Sequence, residues 1–141
     1  MASIKLKIIT PERLVCTCEA DQVTLPVSDG EVTILPNHIS YIASLTIGEI
    51  IARKNDDENS IAVVGGFLEF HNNELIVLAD EAERAEEIDL AKAEEARKRA
   101  EDLKNKVKRG DEVEYARVAA ALEKELSKIK VAKKFLARKG L

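Results

Sequence analysis

The sequence predicts an α+β fold: an N-terminal antiparallel β domain, sandwich or barrel, followed by a C-terminal antiparallel two-helix hairpin. Three observations carry this. All three prolines and four of the six glycines lie before residue 67, as in a turn-rich β segment. Apolar residues alternate with period two in the first part and recur at spacings of three and four in the second. Charge divides at the same place. Residues 1–80 hold 5 Lys/Arg against 12 Asp/Glu, and residues 81–141 hold 17 against 14. The change falls between about Asp80 and Asp89 and sets the expected domains at residues 1–84 and 88–139.

The first strand is Ile4, Leu6 and Ile8 alternating with Lys5 and Lys7, a half-buried pattern. Thr10-Pro11-Glu12-Arg13 turns the chain into a β-branched and Cys-containing strand from Leu14 to Glu19, and Gln22–Val27 follows. Ser28-Asp29-Gly30 has turn chemistry, Glu31–Leu35 resumes the strand, and Pro36-Asn37 breaks it. Ile39–Leu45 and Glu49–Arg53 flank a turn at Gly48. Residues Asn55 to Asn59 read as a polar hairpin loop. Ile61–Val64, Phe67–Phe70 and Leu75–Ala79 complete the set. Gly65-Gly66 marks a bulge or a close backbone approach, and Asn72-Asn73 a tight turn, because Asn tolerates positive φ.

In the second part Ala93, Ala96, Ala100, Leu103 and Val107 share one helical face. Asp89 is the expected N-cap. The basic run Lys104–Arg109 and Gly110 mark the helix end. Asp111 and Glu114 form a capping-box pattern with Asp in place of Ser or Thr. The next helix carries Tyr115, Val118 or Ala119, Leu122, Leu126, Ile129, Ala132 and Leu136 on its apolar face. An alanine seam buries little area, so the hairpin is expected to leave a docked position readily.

Composition excludes more chemistry than it offers. Only His38 and His71 can supply an imidazole base, and no G-x-S-x-G, H-E-x-x-H or P-loop pattern occurs. Cys16 and Cys18 stand closer together than zinc-site spacing, so no metal site is expected and both read as small core residues. His38 reads as a turn or interface residue and His71 as solvated. Aromatics make up 4% with no Trp, which disfavours a nucleic-acid stacking platform. No run reaches the roughly 18 apolar residues of a spanning helix, so membrane association is expected only through a partner. The opening residues lack a signal peptide's apolar stretch, and two cysteines without a disulfide framework point to a reducing compartment. From Arg117 to Lys139 there are eight basic residues and two acidic ones. An acidic protein surface is the partner that best fits this run.

Four stretches resemble one family. Gly30-Glu31-Val32-Thr33-Ile34-Leu35-Pro36-Asn37-His38 resembles a G-x4-LP-x-H stretch of the epsilon subunit of F-type ATP synthases. Leu45-Thr46-Ile47-Gly48-Glu49-Ile50 is similar to its L-x-x-G turn, and Val64-Gly65-Gly66-Phe67-Leu68-Glu69-Phe70 to its GG-[FI]-x-E-V strand. Val77 to Asp89 resembles the junction between sandwich and helices. The resemblance implies a β-sandwich of about ten strands followed by the helical hairpin. It implies a non-catalytic subunit of the central stalk in a proton-translocating rotary ATP synthase, peripheral on the cytoplasmic face of the bacterial plasma membrane. The implied partners are the gamma subunit, the polar loops of the c-ring, and the beta and alpha subunits when the hairpin extends and restrains ATP hydrolysis.

By motif position, Ser28, Asp29, Gly30, Glu31 and His38 are the implied contacts on the c-ring and gamma side. Lys124, Lys128, Lys130, Lys133 and Lys134 are the candidates for an acidic segment of the beta subunit. No cofactor is required. The family's regulatory ATP site uses an I/L-D-x-x-R-A motif, which here reads Ile88-Asp89-Leu90-Ala91-Lys92-Ala93. The implied ATP contacts are Glu83, Asp89, Lys92, Ala93, Arg99, Lys124 and Lys128. Lysine in place of the family's arginine exchanges a planar fork for a point charge.

Overall fold

The computed structural model describes residues 2–107 and 110–140. Lys108 and Arg109 of the basic run Lys104–Arg109 lie outside the described residues, as does Met1. The chain forms two compact units, Met1–Ala85 and Glu86–Leu141.

The first unit is a β-sandwich of eight strands: β1 (Ile4–Ile9), β2 (Leu14–Ala20), β3 (Gln22–Val27), β4 (Gly30–Ile34), β5 (Tyr41–Leu45), β6 (Gly48–Lys54), β7 (Asp57–His71) and β8 (Glu74–Arg84). They follow the order β2-β1-β8-β7-β5-β3-β4, and β6 joins β3 to β7. All described pairings are antiparallel save one: β1 runs parallel to β8, with Leu6 opposite Leu75 and Ile8 opposite Val77. Period-two alternation does not report the direction of a neighbour, so this pairing left no mark in the sequence.

Eight strands, where about ten are expected, reflect two long ones. β7 spans 15 residues and changes partner midway. Its first half pairs with β6 from Asp57 to Val63, and its second half with β5 from Gly66 to Phe70. β8 pairs with it from Ile61↔Arg84 to His71↔Glu74 without a change of register. Gly65 and Gly66, at φ 65° and 109°, sit at the change of partner. Gly65 has no ladder partner, yet the register is the same on both sides of it, so the glycines serve a close backbone approach rather than a bulge.

Alternation places Ile4, Leu6 and Ile8 in the core, together with Val23, Leu25, Ile34, Ile50, Leu68, Phe70, Leu75 and Val77. Cys16 and Cys18 pack against that core half-buried. The polar stretch expected as a loop from Asn55 to Asn59 is a two-residue turn, Asn55-Asp56, and Asp57 already belongs to β7. Cross-strand pairing explains the difference: Arg53 lies opposite Glu58 and bonds it at 3.0 Å. Asn72 and Asn73 form a two-residue turn, both at positive φ.

The second unit is a pair of helices, α1 (Leu90–Lys106) and α2 (Glu112–Arg138), preceded by a short 3₁₀ turn at Ala85–Glu87. Asp89 caps α1 by accepting from the Lys92 N–H at 3.2 Å. Asp111 caps α2 by accepting from the Glu114 N–H at 3.1 Å. The Glu114 carboxylate receives Arg117 at 2.6 Å. α1 stops short of the expected end: Val107, expected on its apolar face, is the C-cap in an extended conformation, and Gly110, at φ 99°, lies beyond it.

The buried residues are Ala93 and Ala100 on α1, and Val118, Leu122, Ile129, Val131 and Ala132 on α2. Leu103, Tyr115 and Leu126, expected on the apolar faces, are instead exposed by about half. At 100° per residue Leu103 and Leu126 stand roughly 70° round their helices from the buried rows. Spacings of three and four drift that far over several turns. Tyr115 carries the Lys104 ammonium over its ring at 5.6 Å.

Candidate functional site

Four surfaces carry the residues singled out by sequence. The first is the turn between β3 and β4. Ser28, Asp29, Gly30 and Glu31 are all exposed, and a Cβ added at Gly30 would meet nothing within 4 Å. The Ser28 N–H donates to the Ser44 carbonyl at 3.3 Å, which ties this turn to β5, the strand that His38 leads into. His38 is half-buried. Its Nδ1 lies 2.7 Å from the Ile39 carbonyl oxygen, and its ring stands edge-on to Phe70 and Tyr41.

The loop carrying His38 is pinned to the turn between β7 and β8. The Asn37 N–H donates to Asn73 Oδ1 at 2.6 Å, and Asn73 Nδ2 donates to Asn37 Oδ1 at 3.1 Å. Ser40 Oγ is 2.8 Å from His71 Nδ1. His71 is exposed, as expected, and this bond fixes its ring. The sequence does not announce this clasp, because it joins asparagines 36 positions apart.

The second surface escaped the sequence reading. On the outer face of β5, β7 and β8, Ile42, Phe67 and Leu78 are 73%, 60% and 55% exposed. Phe67 lies directly opposite Leu78, and Ile42 opposite Glu69, which faces Ile76. The inner face of the same strands carries Leu68, Phe70, Leu75 and Val77, all buried. The available signal was the run Leu75-Ile76-Val77-Leu78-Ala79, apolar on both faces of a strand that has only one face in the core. An apolar cluster held outward on a rigid sheet marks an interaction surface.

The third surface is α2. Lys124 and Lys128 follow one line along the helix, and Lys130 and Lys134 another, roughly 120° round from it on average. Lys133 reaches Glu94 on α1 at 3.6 Å. Four of the five lysines therefore form two basic stripes, and Lys133 pairs with Glu94. Of the implied nucleotide contacts, Glu83 belongs to β8 in the first unit and the other six to the second. The Asp89 carboxylate is already engaged as a helix cap, and Ala93 is buried in the seam. Lys92 and Arg99 are exposed and seven residues apart, on the same side of α1. They offer a point charge at Lys92, where the motif has a fork, and a fork at Arg99, which lies outside the motif. That set fits a loosely held phosphate, not a bidentate clamp.

The fourth is the thiol pair. Cys16 Sγ lies 3.6 Å from Cys18 Sγ. The hydrogen bond from Cys16 lowers the Cys18 thiol to about 7, burial opposes it, and the Lys54 charge adds to the lowering. A depressed thiol pKa means thiolate accumulates from about pH 7 upward. Iodoacetamide labelling of Cys18, followed by peptide mass spectrometry, is expected to reach half its maximal rate near pH 7. Cys16→Ala removes the donor and moves that midpoint up toward about 8.5. An unmoved midpoint would refute the hydrogen bond as the cause. Among the described residues no cluster of three or more His, Cys, Asp or Glu is placed to hold a metal ion. No described helix is long and apolar enough to cross a membrane.

Known proteins resemble this chain over nearly its whole length. Residues 3–85 match the family described as ATP synthase, Delta/Epsilon chain, beta-sandwich domain. Residues 86–133 match ATP synthase, Delta/Epsilon chain, long alpha-helix domain. The ATP synthase epsilon chain of Dehalococcoides mccartyi is 44% identical over 135 residues, covering 95% of each chain. That of Nitratidesulfovibrio vulgaris is 39% identical over 129 residues, covering 92% of this chain and 95% of its own. Among solved structures, a chain of the Euglena gracilis mitochondrial ATP synthase, resolved with OSCP, F1 and c-ring, superposes with a TM-score of 0.73 at 21% identity. The match covers 87% of this chain and 77% of that one. A chain from the central stalk and c-ring of the Tetrahymena thermophila enzyme gives a TM-score of 0.53 at 12% identity, over 93% and 94%. The likeness to these two is one of fold.

Proposed function

The chain belongs to the ATP synthase delta/epsilon family, as a non-catalytic stalk subunit of the bacterial epsilon type, and from that premise we propose how it works. The sandwich docks on the gamma subunit and on the polar loops of the c-ring, and so couples the ring to the catalytic head. The hairpin, when extended, meets the beta and alpha subunits and restrains ATP hydrolysis. The complex sits on the cytoplasmic face of the plasma membrane, and the chain reaches the membrane only through it.

The observation that carries the docking role is the outward cluster Ile42, Phe67 and Leu78. The sandwich completes its own core without these side chains, so their exposure has no use in folding. Burying a large aromatic anchor at the centre of an interface is worth about 2 kcal/mol, roughly 30-fold in affinity. Phe67→Glu and Leu78→Glu are each expected to weaken capture by the gamma subunit about 30-fold or more, leaving the thermal transition of the chain nearly unchanged. Surface plasmon resonance against gamma reads the first effect and calorimetry the second. Undiminished binding by both variants would remove the cluster from the interface. The turn Ser28–Glu31, open at its tip and braced by β5, is assigned to the c-ring side.

Regulatory ATP, if this chain uses it, binds weakly through Lys92 and Arg99. Lys92→Arg restores the planar fork and is expected to tighten ATP about tenfold in isothermal calorimetry. Flat titrations with millimolar ATP for both proteins would reject the nucleotide role.

A further inference from the structure

We propose that Cys16 and Cys18 form a vicinal dithiol site that captures trivalent, thiophilic electrophiles of the organoarsenic(III) type by bonding both sulfurs to one atom. The geometry follows from the strand. Residues at i and i+2 point to one face, and β2 ends the sheet path, so both thiols lie side by side on an edge strand. They are half-buried and their sulfurs are 3.6 Å apart.

That separation suits a shared atom better than a direct bond. Two thiolates on one tetrahedral zinc, at about 2.3 Å each, stand about 3.8 Å apart. A disulfide needs sulfurs at about 2.05 Å and Cα atoms no more than about 6.8 Å apart. Two steps along an extended strand already span about 6.6 Å, at the edge of that range. Bridging by a third atom therefore asks for less backbone movement than oxidation to a disulfide.

The number of ligands selects the class of guest. A structural zinc wants four ligands, and among the described residues no third His, Cys, Asp or Glu joins the pair. A monoorganoarsenic(III) oxide needs only two sulfurs, because its third bond is to carbon. The reaction is a condensation: R–As=O and two S–H groups give R–As(S–)2 and one water. Two As–S bonds form, the As–O bonds break, both thiol protons leave on the oxygen, and arsenic stays trivalent, so no oxidant enters.

The test uses the full chain, whose two cysteines are its only thiols. Phenylarsine oxide is added to the folded protein at equal concentration and the intact mass is read. One adduct per chain is expected, heavier by one reagent less one water, removed by excess dimercaptopropanol and retained in excess monothiol. Cys16→Ser and Cys18→Ser should each abolish it, with unchanged circular dichroism. An adduct that forms only in denaturant, or that survives in either serine variant, would overturn the proposal.

Discussion

Adding the full chain to the catalytic head of its own ATP synthase is expected to lower ATP hydrolysis about tenfold, within the range typical of coupling between sites. A chain ending at Glu87 should leave the rate unchanged. The truncated chain keeps the whole sandwich core, whose buried residues run from Ile4 to Ala79. The experiment thus removes the second compact unit and leaves the first whole. What it removes is α2, 27 residues long and roughly 40 Å in extent, with basic stripes Lys124–Lys128 and Lys130–Lys134 along it. Such a rod presents positive charge to an acidic surface along its second half, from Lys124 to Arg138.

Its seam with α1 is light. α1 contributes only Ala93 and Ala100 as buried residues. A buried methyl is worth about 0.8 kcal/mol, against about 1.5–3 kcal/mol for a Leu or Ile side chain. Rearranging the pair therefore costs little on the α1 side, and a partner offering larger apolar contacts can outcompete it. Equal inhibition by both chains would confine the protein to assembly and coupling. Failure of either to bind the head would count against the proposed stalk role.

Legibility tracked the range of the forces involved. Asp89 and Asp111 were readable because an N-cap is local: each accepts from the N–H three residues on. The inward row of β1 was readable because Ile4, Leu6 and Ile8 alternate with lysines. Three features were not, and each depends on pairing or cover that a linear pattern does not report. The parallel pairing of β1 with β8 joins segments nearly 70 positions apart, beyond any hairpin rule. The extension of β7 back to Asp57 depends on Arg53 meeting Glu58 across the ladder. The outward cluster was invisible because a strand apolar on both faces reads the same whether a second layer or a partner protein covers it.

The helical faces failed in a different way. Counting by threes and fours put Leu103 and Leu126 in the seam, yet small errors of angle accumulate along a helix. The candidate nucleotide residues were found by resemblance alone, and the cap at Asp89 shows why a motif residue can also have a structural reason to be there.

Gly66→Ala is expected to destabilise the sandwich by about 4 kcal/mol, combining backbone strain with overpacking. Gly66 holds φ 109°, a conformation that residues with a side chain rarely adopt. A Cβ there would run into the Leu78 carbonyl oxygen and lie 2.8 Å from Ala79 Cα, both backbone atoms of the paired strand β8. Backbone cannot rotate away as a side chain can. Relief would require separating β7 from β8 where β7 passes from β6 to β5, and that would disturb three ladders together.

Gly65 supplies the control. Its φ of 65° is the left-handed region, where a non-glycine residue costs about 1–2 kcal/mol. Its added Cβ would meet Asp80 Oδ2 at 2.6 Å, the far end of an exposed side chain that can turn aside. Calorimetry should therefore show the sandwich transition falling by roughly 15–30 °C for Gly66→Ala, and by less than half of that for Gly65→Ala. Similar small shifts for both would mean that β8 yields at this point and that the two glycines are not needed for the close approach. The contrast between them separates a constraint on conformation from a constraint on space, because Gly65 carries mainly the first and Gly66 carries both.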